Sequence, residues 1–356
     1  MNTQPMGPPP GRPPMGRPGG MPIQGPPNYQ QQGIPRRDRP SEEIQWVAQV
    51  SNGVVNEVSK AIIGKKQILN AVMVGLLANG NMLFEDYPGL AKTFMSNSFA
   101  MVLGCKFKRI QFTPDLLPSD ITGTYVFDEK SNEFKFRPGP IFTNILLADE
   151  INRAPPKTQA ALLEAMQEKQ VTIEGVTHKL AKPFVVMATQ NPVEQEGTYP
   201  LPEAQLDRFI MKMSMGYPSR ADEVEILRRR DNRGKEDVDL QTLTNPEKIV
   251  TMQKNLEKVY VGTEIMAYIV EIISRTREDP RVMVGSSPRG SQALYKLSRA
   301  VAAMNGRDYV IPDDVKNVTI HGIKHRIILK PEPKIRGITG DDILNKILKE
   351  TAVPAI

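Results

Sequence analysis

Lys92-Thr93 is the strongest chemical signal in the chain, an ammonium and a hydroxyl closing the loop Glu85-Asp86-Tyr87-Pro88-Gly89-Leu90-Ala91. If that loop leads from a strand into a helix, the unpaired N–H groups and positive dipole end of the helix suit a phosphate. Pro88, Gly89, Leu90 and Ala91 would then shape a turn around the anion. Lys92 would reach its outer phosphates, and the Thr93 hydroxyl would ligate Mg2+. The segment departs from G-x-x-x-x-G-K followed by Ser or Thr, because Asp86 and Ala91 fill the glycine positions. Ala91 reads as the milder change, since a first-turn helical residue needs no positive φ. Asp86 is harder to place, because a carboxylate repels phosphates unless it points away. An ordinary strand-loop-helix joint is the plain alternative.

Ile145-Leu146-Leu147-Ala148-Asp149-Glu150 places two acids after an apolar run, the pattern of carboxylates at the C-terminal edge of a buried strand. Asp149 would join the Mg2+ shell, and Glu150 would polarise an attacking water. A solvated strand end is the alternative. Thr189-Gln190-Asn191-Pro192 closes a third apolar run, Phe184 to Ala188, where the Asn191 amide would bond a phosphate or orient water, or simply serve a turn. Arg208, in Glu203-Ala204-Gln205-Leu206-Asp207-Arg208-Phe209, carries the guanidinium suited to transition-state phosphate charge. Taken by itself, Arg208 reads more simply as a surface ion pair with Asp207. Ser287-Pro288-Arg289-Gly290 opens a helix with Arg289 at the end where the dipole opposes a cation, so an anion should compensate it. A γ-phosphate or a local carboxylate would serve.

The elements that must position these residues alternate. Ser41 with Glu42 and Glu43 predicts a capped helix start, with Ile44, Val47 and Val50 at helical spacing, followed by a second helix over 67–78. Short apolar runs at 81–85, 143–147 and 184–188, separated by helical stretches through about 102 and over 158–168, predict a parallel sheet covered by helices. Two β-hairpins interrupt that rhythm, at 124–137 and 170–182. Met211, Met213 and Met215 alternate as in a half-buried strand. After Tyr217-Pro218 the pattern is helical throughout, over 221–230, 246–256, 263–275, 289–304 and 312–328. The expected organisation is a tail over 1–40, an α/β nucleotide-binding core over 41–217 and a smaller all-α domain over 218–356.

The chain has 356 residues, 46 Lys and Arg against 40 Asp and Glu, and a net charge of +6. Residues 1–40 hold five arginines against one aspartate, and 12 of the 31 prolines, with almost nothing apolar to bury. Such a stretch cannot offset its chain entropy and is expected to be a disordered basic arm. The remainder is close to neutral. A lone cysteine, Cys105, excludes an intrachain disulfide framework and fits a reducing compartment. No apolar run reaches the ~18 residues of a membrane span, so a cytoplasmic location is expected. His321 and His325 sit four residues apart, but lack the glutamate of H-E-x-x-H. The basic run Lys324, Arg326, Lys330, Lys334 and Arg336 reads as a solvated face.

Taken together, Pro88 to Thr93, Leu147 to Ala154, Ala188 to Pro192, Glu203 to Phe209 and Ser287 to Gly290 resemble the MoxR family of AAA+ ATPases, over about 64–326. The resemblance implies an AAA+ P-loop core with a helical lid, ATP and Mg2+ as cofactors, and ATP hydrolysis. It makes Lys92 and Thr93 the Walker A pair, Asp149 and Glu150 Walker B, Asn191 sensor 1, Arg208 the arginine finger and Arg289 sensor 2. Ile63 and Gly64 match the segment that borders the adenine, and the hairpins match the family's two inserts. An arginine that completes a neighbour's site requires head-to-tail copies, which close into a ring; the resemblance implies a hexamer. ATP touching Lys92 on the core and Arg289 on the lid would bias the angle between them. The resemblance also suggests chaperone-like remodelling of a client protein complex, beside a partner with a von Willebrand factor A domain. A nucleic-acid motor and an ATP-gated scaffold with little turnover are the competing readings; the near-neutral folded part argues against nucleic acid.

Overall fold

The computed structural model describes residues 41–192 and 197–354. The tail over 1–40 lies outside the described residues, as do 193–196 and 355–356. In chain order the first part runs α1 Glu42–Val58, α2 Lys66–Leu77, β1 Met82–Glu85, α3 Lys92–Val102, β2 Phe107–Gln111, α4 Pro118–Thr122, β3 Gly123–Asp128, β4 Glu133–Pro138, β5 Ile145–Asp149, α5 Pro156–Glu168, β6 Gln170–Ile173, β7 Val176–Lys179, β8 Val185–Gln190, α6 Glu203–Leu206 and β9 Met211–Met213. The second runs α7 Arg220–Arg233, α8 Pro246–Asn255, α9 Thr263–Glu278, β10 Val282–Val284, α10 Pro288–Met304, α11 Pro312–Ile323, β11 Ile328–Leu329, α12 Pro331–Ile335 and α13 Gly340–Glu350.

The central sheet is five-stranded and parallel, in the order β2-β5-β8-β1-β9. Its three inner strands are buried nearly throughout, which is why each reads as an unbroken apolar run. Side chains alternate between the faces: Ile145 and Leu147 join one core, Leu146 and Ala148 the other. The second core lies under α5 and the β6-β7 hairpin. The first extends without a break through α1, α2 and α3 into α8, α9, α10, α11 and α13. The helical part after β9 therefore shares its apolar packing with the opening helices, and it also carries the antiparallel pair β10-β11.

Both hairpins form, β3 pairing β4 and β6 pairing β7. Glu174 and Gly175 turn the second with positive φ of 49° and 82°, as a two-residue primed turn requires. His178 on β7 stacks on Phe136 of β4, ring centroids 4.2 Å apart, so the hairpins touch through aromatic rings. Three expectations need correction. Ser41 stands at the N-cap of α1, but its hydroxyl accepts no capping hydrogen bond. The parallel sheet also has an edge strand, β2, that the apolar runs did not announce, because its Lys108 and Arg109 are exposed. Arg326 is not solvated: its side chain is 4% exposed.

Candidate functional site

Parallel register puts the carboxyl ends of β1, β5 and β8 side by side, with Glu85 opposite Gln190 and Ala148 opposite Ala188. The residues just beyond those ends line one recess of about 410 Å3, which includes Pro88 to Phe94, Asp149, Glu150 and Asn191. Ligands in open α/β sheets bind at this edge. Lys92 opens α3 and is buried; its Nζ donates to the Tyr87 carbonyl at 2.7 Å and the Asp86 carbonyl at 3.3 Å. Burial pushes the Lys92 pKa down, opposed by the carboxylates of Asp86, Asp149 and Glu150. No side chain caps α3, so its first N–H groups have no side-chain acceptor, and the Thr93 hydroxyl makes no hydrogen bond among the described residues.

The two departures from the loop pattern resolve in opposite ways. The Asp86 carboxylate accepts from Ser214 Oγ at 2.6 Å, from the Met215 N–H at 2.6 Å and from the Gly216 N–H at 3.2 Å. It is tied to the chain leaving β9 and does not offer its lone pairs to an anion. Ala91, read from the sequence as the milder change, adopts φ 55° and ψ 22° in the left-handed region. That conformation costs an L-residue about 1–2 kcal/mol, so the missing glycine matters here. Gly89 has φ 83° with nothing within 4 Å of an added Cβ; conformation, not space, calls for glycine there.

Asp149 and Glu150 are each held by partners. Thr189 Oγ1 donates to Asp149 Oδ1 at 2.5 Å, and Arg109 reaches Oδ2 at 2.7 Å through Nη2 and 3.0 Å through Nε. Glu150 has φ 55° and receives Gln111 Nε2 at 2.7 Å, with Arg153 at 3.1 Å. Strain at a carboxylate aimed by neighbours is typical of functional positions. Asn191 is buried at the rim, its carbonyl accepting from Asn152 Nδ2 at 3.4 Å. Arg109, Gln111 and Thr189 escaped the sequence reading. Their signal was period-two spacing: Arg109 and Gln111 share the face of β2 and reach the same end of the sheet as the acids.

Four of the residues singled out lie elsewhere. Ile63 and Gly64 do not line this recess; Gly64, at φ 72°, abuts α7, where a Cβ would come within 2.3 Å of Asp222 Cγ. Arg208 and Arg289 line a second recess, about 260 Å3, together with Asp207, Lys169, Lys296 and Arg326. In one chain, therefore, Lys92 and Arg289 do not face the same recess, contrary to the expectation that one nucleotide touches both. The Asp207 carboxylate receives Arg326 Nε at 2.7 Å, with Arg289 Nη1 at 3.6 Å. Arg289 thus has the local carboxylate considered for it, whereas Arg208 does not pair with Asp207. His325 is buried, its Nε2 2.9 Å from the Phe209 carbonyl, and burial pushes its pKa well down.

A parallel sheet that delivers a Lys-Thr helix start and an acid pair into one recess defines a P-loop ATPase core. The family model for the ATPase family associated with various cellular activities (AAA) matches residues 81–211, and the AAA lid domain matches 274–347. The chain is 49% identical to the uncharacterized protein YeaC of Bacillus subtilis over 84% of this chain and 93% of that one. It is 41% identical to Chaperone MoxR1 of Mycobacterium tuberculosis over 84% and 81%. A crystal structure of a Cytophaga hutchinsonii protein assigned as an ATPase superposes with a TM-score of 0.83 at 40% identity, covering 88% of this chain and 98% of that one. The chain belongs to the MoxR family of AAA+ ATPases, and it is an ATP phosphohydrolase. Among the described residues no helix is long and apolar enough to cross a membrane.

Proposed function

We propose that the chain hydrolyses ATP with Mg2+ at sites shared between copies of a ring, most simply a hexamer, and uses the cycle for chaperone-like remodelling of a client protein complex in the cytoplasm. The observation that carries the shared site is the separation of the two recesses, Lys92 in one, Arg208 and Arg289 in the other. A guanidinium pair without access to its own phosphate loop is useful if the next copy's loop comes to it.

The donors suit the substrate. The uncapped start of α3 and Lys92 present N–H groups to the phosphates, and Lys92 need only leave two loop carbonyls to reach them. Mg2+, a hard cation that prefers oxygen, would be held by the Thr93 hydroxyl and Asp149, and would neutralise charge on the phosphates. Asp149 must then exchange its Arg109 partner. Glu150, oriented by Gln111, takes the attacking water's proton, and Asn191 orients that water or the γ-phosphate. Arg208 and Arg289 of the adjacent copy stabilise charge developing on the transferred group. Ile63 and Gly64 border the base. A von Willebrand factor A domain protein as partner follows from family membership alone. The scaffold reading loses its motive, because the Asp86 carboxylate is engaged away from the phosphates.

Complementation tests the shared site. Arg208→Ala and Glu150→Gln should each lose turnover while retaining ATP, and mixing them should restore roughly a quarter of wild-type activity, because random rings regain sites built from two intact halves. No recovery on mixing, with both variants still assembled, would place Arg208 at its own chain's nucleotide and end this reading.

A further inference from the structure

The second recess holds more cations than the finger and sensor arginines account for. Lys296 follows Arg289 by two turns on α10 and lies on the same face. Lys169, at the C-cap of α5, lines the same recess. Among the described residues that line it there is one carboxylate, Asp207, already engaged by Arg326 and Arg289. Among the described residues neither Lys169 nor Lys296 has a carboxylate within ion-pair distance. Lys169 Nζ donates to the Phe184 carbonyl at 2.9 Å and stands 5.4 Å from the centre of the Phe184 ring. That is thin compensation for a half-buried ammonium, and burial pushes its pKa down to about 8. Concentrated positive charge in a partly enclosed recess raises the local concentration of anions.

Lys169 is also the root of the β6-β7 hairpin. It sits in the left-handed region at φ 53° immediately before β6. Its carbonyl accepts from the Leu180 N–H at 3.0 Å, and its own N–H donates to the Ala165 carbonyl at 3.0 Å. A force on its side chain therefore acts where helix and hairpin join.

We infer that Lys169 and Lys296 contact the terminal phosphate of ATP bound by the adjacent copy, and that Lys169 transmits its presence to the β6-β7 hairpin. The inference rests on the shared-site reading and adds two residues and a mechanical link to it. An oxyanion bridging Arg208, Arg289 and Lys296 supplies the missing counter-charge; drawing Lys169 toward it loosens the Phe184 contact and tilts the hairpin. Loss of the phosphate after hydrolysis lets Lys169 return.

The test uses the full chain with Lys169→Met, Lys169→Arg and Lys296→Met, and a fluorescent maleimide on Val176→Cys at the exposed start of β7. Cys105 should not compete for label, because burial pushes its thiol pKa up to about 12. Each methionine variant should lose about tenfold in kcat with ATP affinity unchanged, the loss expected for one charge-assisted contact made by a neighbour. Lys169→Arg should recover most of it. Mixing either methionine variant with Glu150→Gln should restore activity as Arg208→Ala does. ATP should shift the hairpin probe in wild-type rings but not in Lys169→Met. If Lys169→Met fails to fold, Lys296→Met carries the turnover test and Lys169→Arg the probe. Wild-type kcat in both methionine variants, beside a dead Arg208→Ala, overturns this inference and leaves the shared site standing; a fully active Arg208→Ala removes the shared site first. Inorganic phosphate alone shifting the probe in Lys92→Ala would assign the recess to free phosphate and overturn the neighbour's nucleotide as its occupant.

Discussion

In the Lys92 recess every charged group is answered within the chain: Asp149 by Arg109 and Thr189, Glu150 by Gln111 and Arg153, Lys92 by two loop carbonyls. The Arg208 recess is unbalanced, since its only carboxylate is taken up by Arg326 and Arg289, leaving Arg208, Lys169 and Lys296 without acids among the described residues. On the proposed reading the first is the half of a site that holds the phosphates, and the second is the half that waits for their negative charge. Because no residue lines both recesses, that reading makes assembly, rather than closure of one chain on itself, the event that would complete them.

That contrast can be broken most directly by Lys92→Ala. Loss of an ammonium that bonds the phosphates should weaken ATP binding by about 100-fold or more, measured by calorimetry, whereas Arg208→Ala should change affinity less than about threefold. Equal losses would mean that the two recesses are one site. A smaller effect, on stability, sharpens the role of Asp207. Arg326 is buried, its pKa pushed down by desolvation and held up by Asp207. Asp207→Ala strands that guanidinium and should cost about 3 kcal/mol in chemical denaturation, while Arg289→Ala, removing an exposed ion pair, should cost under about 1 kcal/mol. Smallest is Ala91→Gly. Relief of the left-handed strain, less the entropy glycine adds to the unfolded chain, should raise stability by about 0.5–1 kcal/mol, read as a higher melting temperature. A decrease would show that the loop does not hold that conformation.

Much of the first recess was legible because its signals are local. Ile145 to Ala148 followed by Asp149 announces a buried strand with an acid at its end, and Glu174-Gly175 announces a hairpin turn. The second recess was largely illegible. Arg326 sits in a basic run that reads as a wet surface, yet the carbonyls of Asp207, Phe209 and Ile210 surround it at 3.2, 2.8 and 3.2 Å. Lys169 looks like any lysine ending a helix; nothing in its neighbours along the chain places the Phe184 ring beneath it. Ala91 was misjudged for the same reason, since its φ is imposed by how the loop must meet both β1 and α3.

The order of residues determined on its own which side chains have the chemistry for phosphate and metal, and that three apolar strands would carry them, because strand burial and helix-start chemistry depend on neighbours a few positions away. Only the tertiary structure decided which of those side chains meet. Hydrogen-bond register across the sheet gathered Lys92, Asp149 and Asn191, and a guanidinium 119 residues away in sequence captured the Asp207 carboxylate, while Arg208 lines a recess other than that of Lys92.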